Sequence, residues 1–583
     1  MKKDQLYRKY KIWNTIIILF SIIGLITCIA ILFPQVRLQM MAFAEHLLER
    51  KSATYNSWYS LLFSLASGGV FFILIFDYCT LTTSGRTLVQ QVKQDVKACF
   101  SEIDFRIFIK PILLMFAVYL LGLLAIIRAN FLYNDDVGRA IMGYRDWYNW
   151  SRYIAVFFSF IIQPEIHVTD ISPIPQLLAI LLLSCSSVLL VYILCEKKIT
   201  TIRLLASIPL GLSPYFLECL SYKFDAPHMA LSILACIIPF LFITSKKAFL
   251  FVSIISLLVM CMTYQAASGI YIMISIFLCF QYWSNRKKSN KEILFFFGRT
   301  IVAFSLAMLI FKFFFLRPID DQDLYASNAM YPLSQIVSGT LSNIKNYLFI
   351  IKNDLGLLWK IGILFIIFLF IIKSICQSTQ KKIISFFFSI MFIVLTFISS
   401  FGAYSMLSNT LLYPRTMFGF GIFLAIICVH VVTDYKKLAV VAVLALNWCF
   451  FTFAFSYGNA LADQARYADF RIGILLHDLS NLYPTISAEE MSIQFDNSIE
   501  FSPTIKNIAK NNPIIERLVP KRLSNSLFDY FYCFGHFNNE QFFIDIEEFQ
   551  NIKYSTLDLP VVIDSYYHTI KSDGEHILII FKH

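Results

Sequence analysis

The chain is built of apolar blocks about twenty residues long, the length a helix needs to cross the hydrocarbon core of a bilayer. The blocks fall at residues 12–33, 57–77, 109–129, 176–195, 202–217, 228–244, 247–263, 265–283, 295–316, 347–372, 383–402, 416–433 and 438–456. Only 15% of residues are charged, against about 25% in soluble domains. Mean hydropathy is +0.66. Fifty-nine Phe and thirty Tyr exceed what so few charges could cover in water. The pattern excludes disorder, collagen, coiled coil and a string of soluble domains. It predicts an α-helical polytopic membrane protein of about thirteen spans.

The net charge of +11 does not point to nucleic acid, because the basic residues sit in short clusters between blocks. With the Lys- and Arg-rich amino end placed in the cytoplasm, alternate loops follow the positive-inside rule. The inner loops hold Arg86, Lys93, Lys97 and Arg106, then Lys197–Lys198, Lys246–Lys247, Arg286–Lys288, Lys381–Lys382 and Lys436–Lys437. The outer loops are longer and poorer in basic residues. An odd number of spans puts the tail outside. The first block is too long for a signal peptide and lacks a cleavage site. The short connection near Tyr264 leaves open a re-entrant pair.

After Tyr457 the texture turns polar. Runs at Leu559–Ile563 and His576–Phe581 read as strands and the stretch from Asp463 to Leu479 reads as a helix. The expected organisation is therefore two amino-terminal spans with a cytoplasmic loop (1–108), a membrane core (109–456) and a small α/β domain on the outer, periplasmic side (457–583). None of the thirteen Cys forms a CxxC pair, so neither a disulfide framework nor a zinc site is expected. P-loop, HExxH and GxSxG motifs are absent.

Polar chemistry gathers in three outer segments. In the first, Asp135–Asp136 follows a span directly. Such a pair can bind a divalent cation through oxygen, or one Asp can act as a general base with its pKa raised by its neighbour. It can equally mark the water boundary. The aromatic stretch from Trp147 to Ile162 fits a helix lying in the interface, as a lipid portal or a structural element. The second segment contains Tyr222, Lys223 and Asp225. The third places Arg415 at headgroup depth, as a phosphate fork or an ordinary anchor. Lys312 reads as a snorkelling residue and Asp320, Asp321 and Asp323 as a solvated loop.

The run FLYNDDVGRAIMGYRDWYNWSRYIAVFFSFI, followed by DISPIPQLLAI at 170–180, resembles the type II glucosyltransferases that modify O-antigen in serotype conversion. LSYKFDAPHMAL at 220–231, TYQAASG at 263–269, YPRTM at 413–417 and SYGNALADQARYADFRI at 456–472 carry the same resemblance, which covers about 110 to 480. It implies a GT-C-like bundle in the bacterial inner membrane. That enzyme would move glucose from undecaprenyl-phosphate glucose to a lipid-linked O-antigen repeat on the periplasmic face. Asp135 or Asp136 would be the base or would hold a divalent cation, Mg or Mn, with the base role preferred. Arg415 would stabilise the leaving lipid phosphate. Arg139, Tyr222, Lys223, Asp225, Tyr264 and Gln265 would line the donor site, the last two with packing as an equal alternative. A flippase or transporter of lipid-linked saccharides is disfavoured by charge-poor spans. A polymerase or ligase would rely on a large loop between late spans.

Overall fold

The computed structural model describes residues 83–316, 330–434, 436–483, 492–535 and 553–582, with positions 69, 76, 79 and 80. The predicted spans at 12–33 and 57–77 and the acidic loop at 320–323 lie outside these residues, apart from positions 69 and 76. The described chain is mostly helical. It opens with α1 (Thr83–Ser101) and α2 (Arg106–Ala129), which ends at a left-handed Asn130 whose N–H bonds Ile127 O. Three short pieces of the first outer segment follow: α3 (Asp135–Met142), a helical turn at Trp147–Trp150, and α4 (Tyr153–Ile162). Gly143 ends α3 at φ 68°, a conformation a side chain would strain, and its N–H bonds Arg139 O.

The bundle continues through α5 (Ile174–Leu194), a pair α6 (Thr201–Leu212) and α7 (Pro214–Ser221) bent by 62°, and α8 (Ala226–Ile237). Pro214 and Pro227 sit in first turns, where a missing N–H is harmless. Then come α9 (Lys246–Cys261), α10 (Ser268–Ser284) and α11 (Asn290–Ile310), which starts on a Ser289–Glu292 capping box. α12 (Ile336–Asp354), α13 (Leu357–Gln377), α14 (Lys382–Ser399), α15 (Gly419–Val431) and α16 (Lys437–Leu482) complete the set.

Among the described residues seven helical segments are long and apolar enough to cross a membrane, or eight if the bent pair is one span. Three other expected spans, at 228–244, 247–263 and 416–433, are helices of 16 residues or so; the first and third are packed inside the bundle and the second keeps Phe251 and Ile255 on an exposed face. The block expected as one span at 347–372 is two helices. Leu355 and Gly356 break it, and Gly356 abuts the backbone of Asn511, so the apolar crossing is α13. The connection near Tyr264 is a tight turn at 262–267 between α9 and α10.

The boundary expected at 456–457 falls inside α16, a single 46-residue helix, about 69 Å long at 1.5 Å per residue. Its first half packs Gly458 and its neighbours against α2. Its second half supplies Ala468, Ile472, Leu475 and Leu479 to the core of the tail. That tail carries a four-stranded sheet of order β1-β4-β3-β2, with β1 (Ser492–Asp496), β2 (Val561–Asp564), β3 (His568–Ser572) and β4 (His576–Phe581). β1 pairs with β4 in parallel (Ser492 opposite His576), and the other pairs are antiparallel. The segment 505–519 folds back into the core of the bundle through Ile505, Ile514, Ile515, Leu518 and Val519.

Candidate active site

The expected site residues come together at one end of the bundle, where α2 ends and α5, α8, α10 and α15 begin. α3 is wedged there. Val137, on one face, is buried in the tail's core, and Asp136 and Arg139, on the other, are buried against the loop before α8. The two acids of the pair do different things. Asp136 is fully buried, and its carboxylate accepts the backbone N–H groups of Lys223 at 2.9 Å, Phe224 at 3.3 Å and Tyr133 at 3.3 Å. It staples the first outer segment to the second. Burial and the Asp225 charge push its pKa up to about 8, against the pull of the Lys223 and Phe224 amides and Arg139.

Asp135 is half-buried and its carboxylate has no hydrogen-bond partner among the described residues. Every other acid of the site has one. Burial raises its pKa and the charges of Asp225 and Asp146 add to this, opposed by Arg139 and Arg415. Arg139 is itself buried. It pairs with Asp225 and with Asp146 at 2.9 Å, and its guanidinium lies 4.6 Å over the Trp147 ring. Trp147 donates its indole N–H to the other Asp225 oxygen at 2.6 Å. Burial alone would raise the Asp225 pKa, but Arg139 and these partners hold it below the usual carboxylate range. Lys223 reaches Asp170 at 2.8 Å and the Asn130 side chain at 2.6 Å.

Arg415 comes from the third segment. Glu218 fixes it twice, accepting its backbone N–H at 2.6 Å and its guanidinium at 2.8 Å. The guanidinium lies over the rings of Tyr413 (4.6 Å) and Tyr222 (5.3 Å). Tyr222 accepts from the Asn134 amide at 3.2 Å. Tyr264 donates to Arg415 O at 3.2 Å, and Gln265 to Trp150 O at 3.3 Å, so both tie the walls together. Arg152 stacks 4.8 Å over Tyr264, and its guanidinium has neither a carboxylate nor a hydrogen-bond partner among the described residues.

Glu218, Trp147, Asp146, Asp170 and Arg152 were not among the expected site residues, although the last four lie in the runs that carry the resemblance. Glu218 had a signal, a lone acid inside the apolar run PYFLECLSYKF, which marks a functional position by default. The roles of the other four were not local: Trp147, Asp170 and Arg152 meet partners 50 or more residues away, and Asp146 meets Arg139 seven residues back across the turn after α3. The aromatic stretch forms the short helix α4, with Phe157, Phe160 and Ile161 turned outward. Arg145 caps it, donating to Gln163 O at 2.6 Å and Ser159 Oγ at 2.6 Å, and favours its negative end.

The donor set does not suit a divalent cation. Asp136 has its oxygens on backbone amides, Asp225 and Glu218 are committed to arginines, and no group of three or more His, Cys, Asp or Glu converges among the described residues. What the cleft offers is one uncommitted carboxylate facing cations in an aromatic frame. That arrangement can take a proton from a hydroxyl and hold an anionic leaving group.

The profile of the family described as Glucosyl transferase GtrII matches residues 124–426, which contain every residue of this cleft. The chain is 23% identical over 452 residues to an uncharacterized 55.3 kDa protein from the gtrB 5′ region of Salmonella phage P22, covering 72% of this chain and 88% of that one. No solved structure matches it. The chain belongs to the GtrII glucosyl transferase family and is a multi-pass membrane glycosyltransferase of the O-antigen-modifying kind.

Proposed function

We propose that this enzyme transfers glucose from undecaprenyl-phosphate glucose to a lipid-linked O-antigen repeat on the periplasmic face. Asp135 is the base and Arg415 and Arg152 hold the donor phosphate. The observation that carries the reading is the uncommitted Asp135 carboxylate among arginines. The acceptor hydroxyl oxygen attacks the sugar's anomeric carbon and gives its proton to Asp135. The bond from that carbon to the phosphate oxygen breaks, its electron pair leaving with the lipid phosphate. The charge that grows there is met by preorganised guanidinium groups in a site shielded from water. A raised pKa makes Asp135 a stronger base than an ordinary carboxylate. The apolar outer face of α4 leaves room for the donor's tail in the bilayer, with its phosphate at Arg415.

Thirteen spans, an inside amino terminus and an outside tail complete the proposal. In support, Lys197–Lys198, Arg286–Lys288, Lys381–Lys382 and Lys436–Lys437 all flank helix ends opposite the cleft, as the positive-inside rule asks. The test is mass analysis of O-antigen from cells with and without the protein. One added hexose per modified repeat is expected, and an unchanged repeat in cells making the folded protein contradicts the reading.

A further inference from the structure

At the opposite end of the bundle α5, α10, α13 and α15 finish around a second cavity, of about 230 Å³. α5 links the two ends, starting just after Asp170 and finishing at the cavity wall at Leu194. Its 21 residues put the cavity about 30 Å from the cleft, too far to be part of it.

The lining is polar. Arg203 and Lys373 are buried. Arg203 enters the wall and donates to Lys198 O at 3.0 Å and Thr433 O at 3.1 Å. Lys373 stands behind the wall, donating to His430 O at 2.7 Å and pairing with Asp434 at 3.3 Å. The acids are answered: Glu196 pairs with Lys287, and Asp434 holds both Lys373 and the Gln377 amide. Lys198, at the rim, has an ammonium with no acceptor among the described residues. The two lining carboxylates are thus neutralised from outside the lining by Lys287 and Lys373, which leaves the charges of the two lining cations, Lys198 and Arg203, in excess. Two further polar groups of lining residues, Ser374 Oγ and His430 Nε2, are buried without a hydrogen-bond partner among the described residues. A buried polar group left unmade is unfavourable, and such groups in a native fold call for an explanation.

A hydroxyl, an ammonium and a guanidinium of residues lining one hollow suit oxygens carrying negative charge. The volume is below the roughly 300–1,000 Å³ of pockets for drug-sized ligands, so the occupant is small. We propose that this cavity is a binding site for a phosphate headgroup, at the face of the bundle opposite sugar transfer. Basic pockets between spans hold anionic lipid heads in this manner. The site is independent of the reaction assigned to the cleft.

The test uses the full chain, delipidated in a neutral maltoside detergent, titrated with inorganic phosphate at constant ionic strength or with phosphatidylglycerol. Thermal unfolding midpoint and native mass spectrometry are the readouts. Arg203→Gln would remove hydrogen bonds of the fold, so the variant is Lys198→Gln with Ser374→Ala, side chains that hold nothing else in place. Retained phosphatidylglycerol with a raised midpoint, weakened about tenfold in the double variant, supports a lipid source. The same response to inorganic phosphate supports a soluble one. No shift with either ligand, or undiminished binding by the double variant, overturns the proposal and leaves water as the partner of Ser374 and His430.

Discussion

At the scale of single residues two neighbours, Asp135 and Asp136, have separate tasks. Asp136 holds a proton more tightly in the fold, with a pKa of about 8, than in the unfolded chain, where an Asp titrates near about 4. The folded state therefore binds the extra proton between those values. The stability this group contributes is complete below pH ~4 and is lost as pH rises towards ~8. Asp136→Asn removes that slope. Unfolding midpoints in detergent at pH 5 and pH 8 should differ less for this variant than for wild type, and equal slopes would count against the assignment. Asp136→Ala is harsher, because three backbone N–H groups lose their acceptor at about 1–3 kcal/mol for each one buried. Arg415 is tested through Glu218. Arg415→Ala strands a buried carboxylate, so it should both destabilise the protein and weaken donor binding. Adding Glu218→Gln should restore stability while leaving donor binding weak. Recovery of both would make Arg415 a purely structural partner. The DD pair was legible as a candidate from the sequence. Which Asp is spent on the fold was not, since the deciding amides belong to Lys223 and Phe224, 87 and 88 residues away.

At the scale of elements the long helix α16 is the main device. A Cβ at Gly458 would run into the backbone of Ala125 and Ile126, one turn before α2 delivers the chain to the cleft. Close backbone approach of this kind relies on small residues. Gly458→Val should therefore destabilise the protein by about 1–3 kcal/mol through overpacking, read from detergent unfolding. An unchanged midpoint would mean the helices can separate there at no cost. The apolar blocks made most of these helices legible, since hydrophobic length is a local property of the sequence. The split of the 347–372 block was hidden, because Gly356 is selected by the backbone of Asn511 rather than by its neighbours. The run of α16 past residue 456 was half legible. The polar turn in composition records where the helix leaves its apolar surroundings, and the helix goes on into the tail's core.

At the scale of the whole molecule the tail is a wall of the active end, not an appendage. Arg517 pairs with Asp354, which also accepts the Tyr215 hydroxyl at 3.0 Å. Leu518 O accepts the Tyr133 hydroxyl at 2.7 Å, and Arg522 donates to Leu132 O. Arg517→Ala leaves Asp354 buried without its cation. This should cost on the order of 2–3 kcal/mol, less than breaking a fully buried pair because Arg517 is partly exposed. Limited proteolysis should then cut the tail faster, and unchanged cleavage would show that the contact does not hold it. Nothing in the sequence marked this docking, which joins residues more than 100 apart. The central claim remains the division of labour within Asp135–Asp136. Its most direct measurement is the rate of labelled glucose transfer from undecaprenyl-phosphate glucose in reconstituted vesicles containing equal amounts of folded wild type, Asp135→Asn or Asp136→Asn. The account predicts that Asp135→Asn lowers kcat by about 10²–10⁴-fold, the usual contribution of a positioned base, while Asp136→Asn keeps substantial activity at pH 7. Near-normal transfer by Asp135→Asn, or a collapse confined to Asp136→Asn, would contradict it.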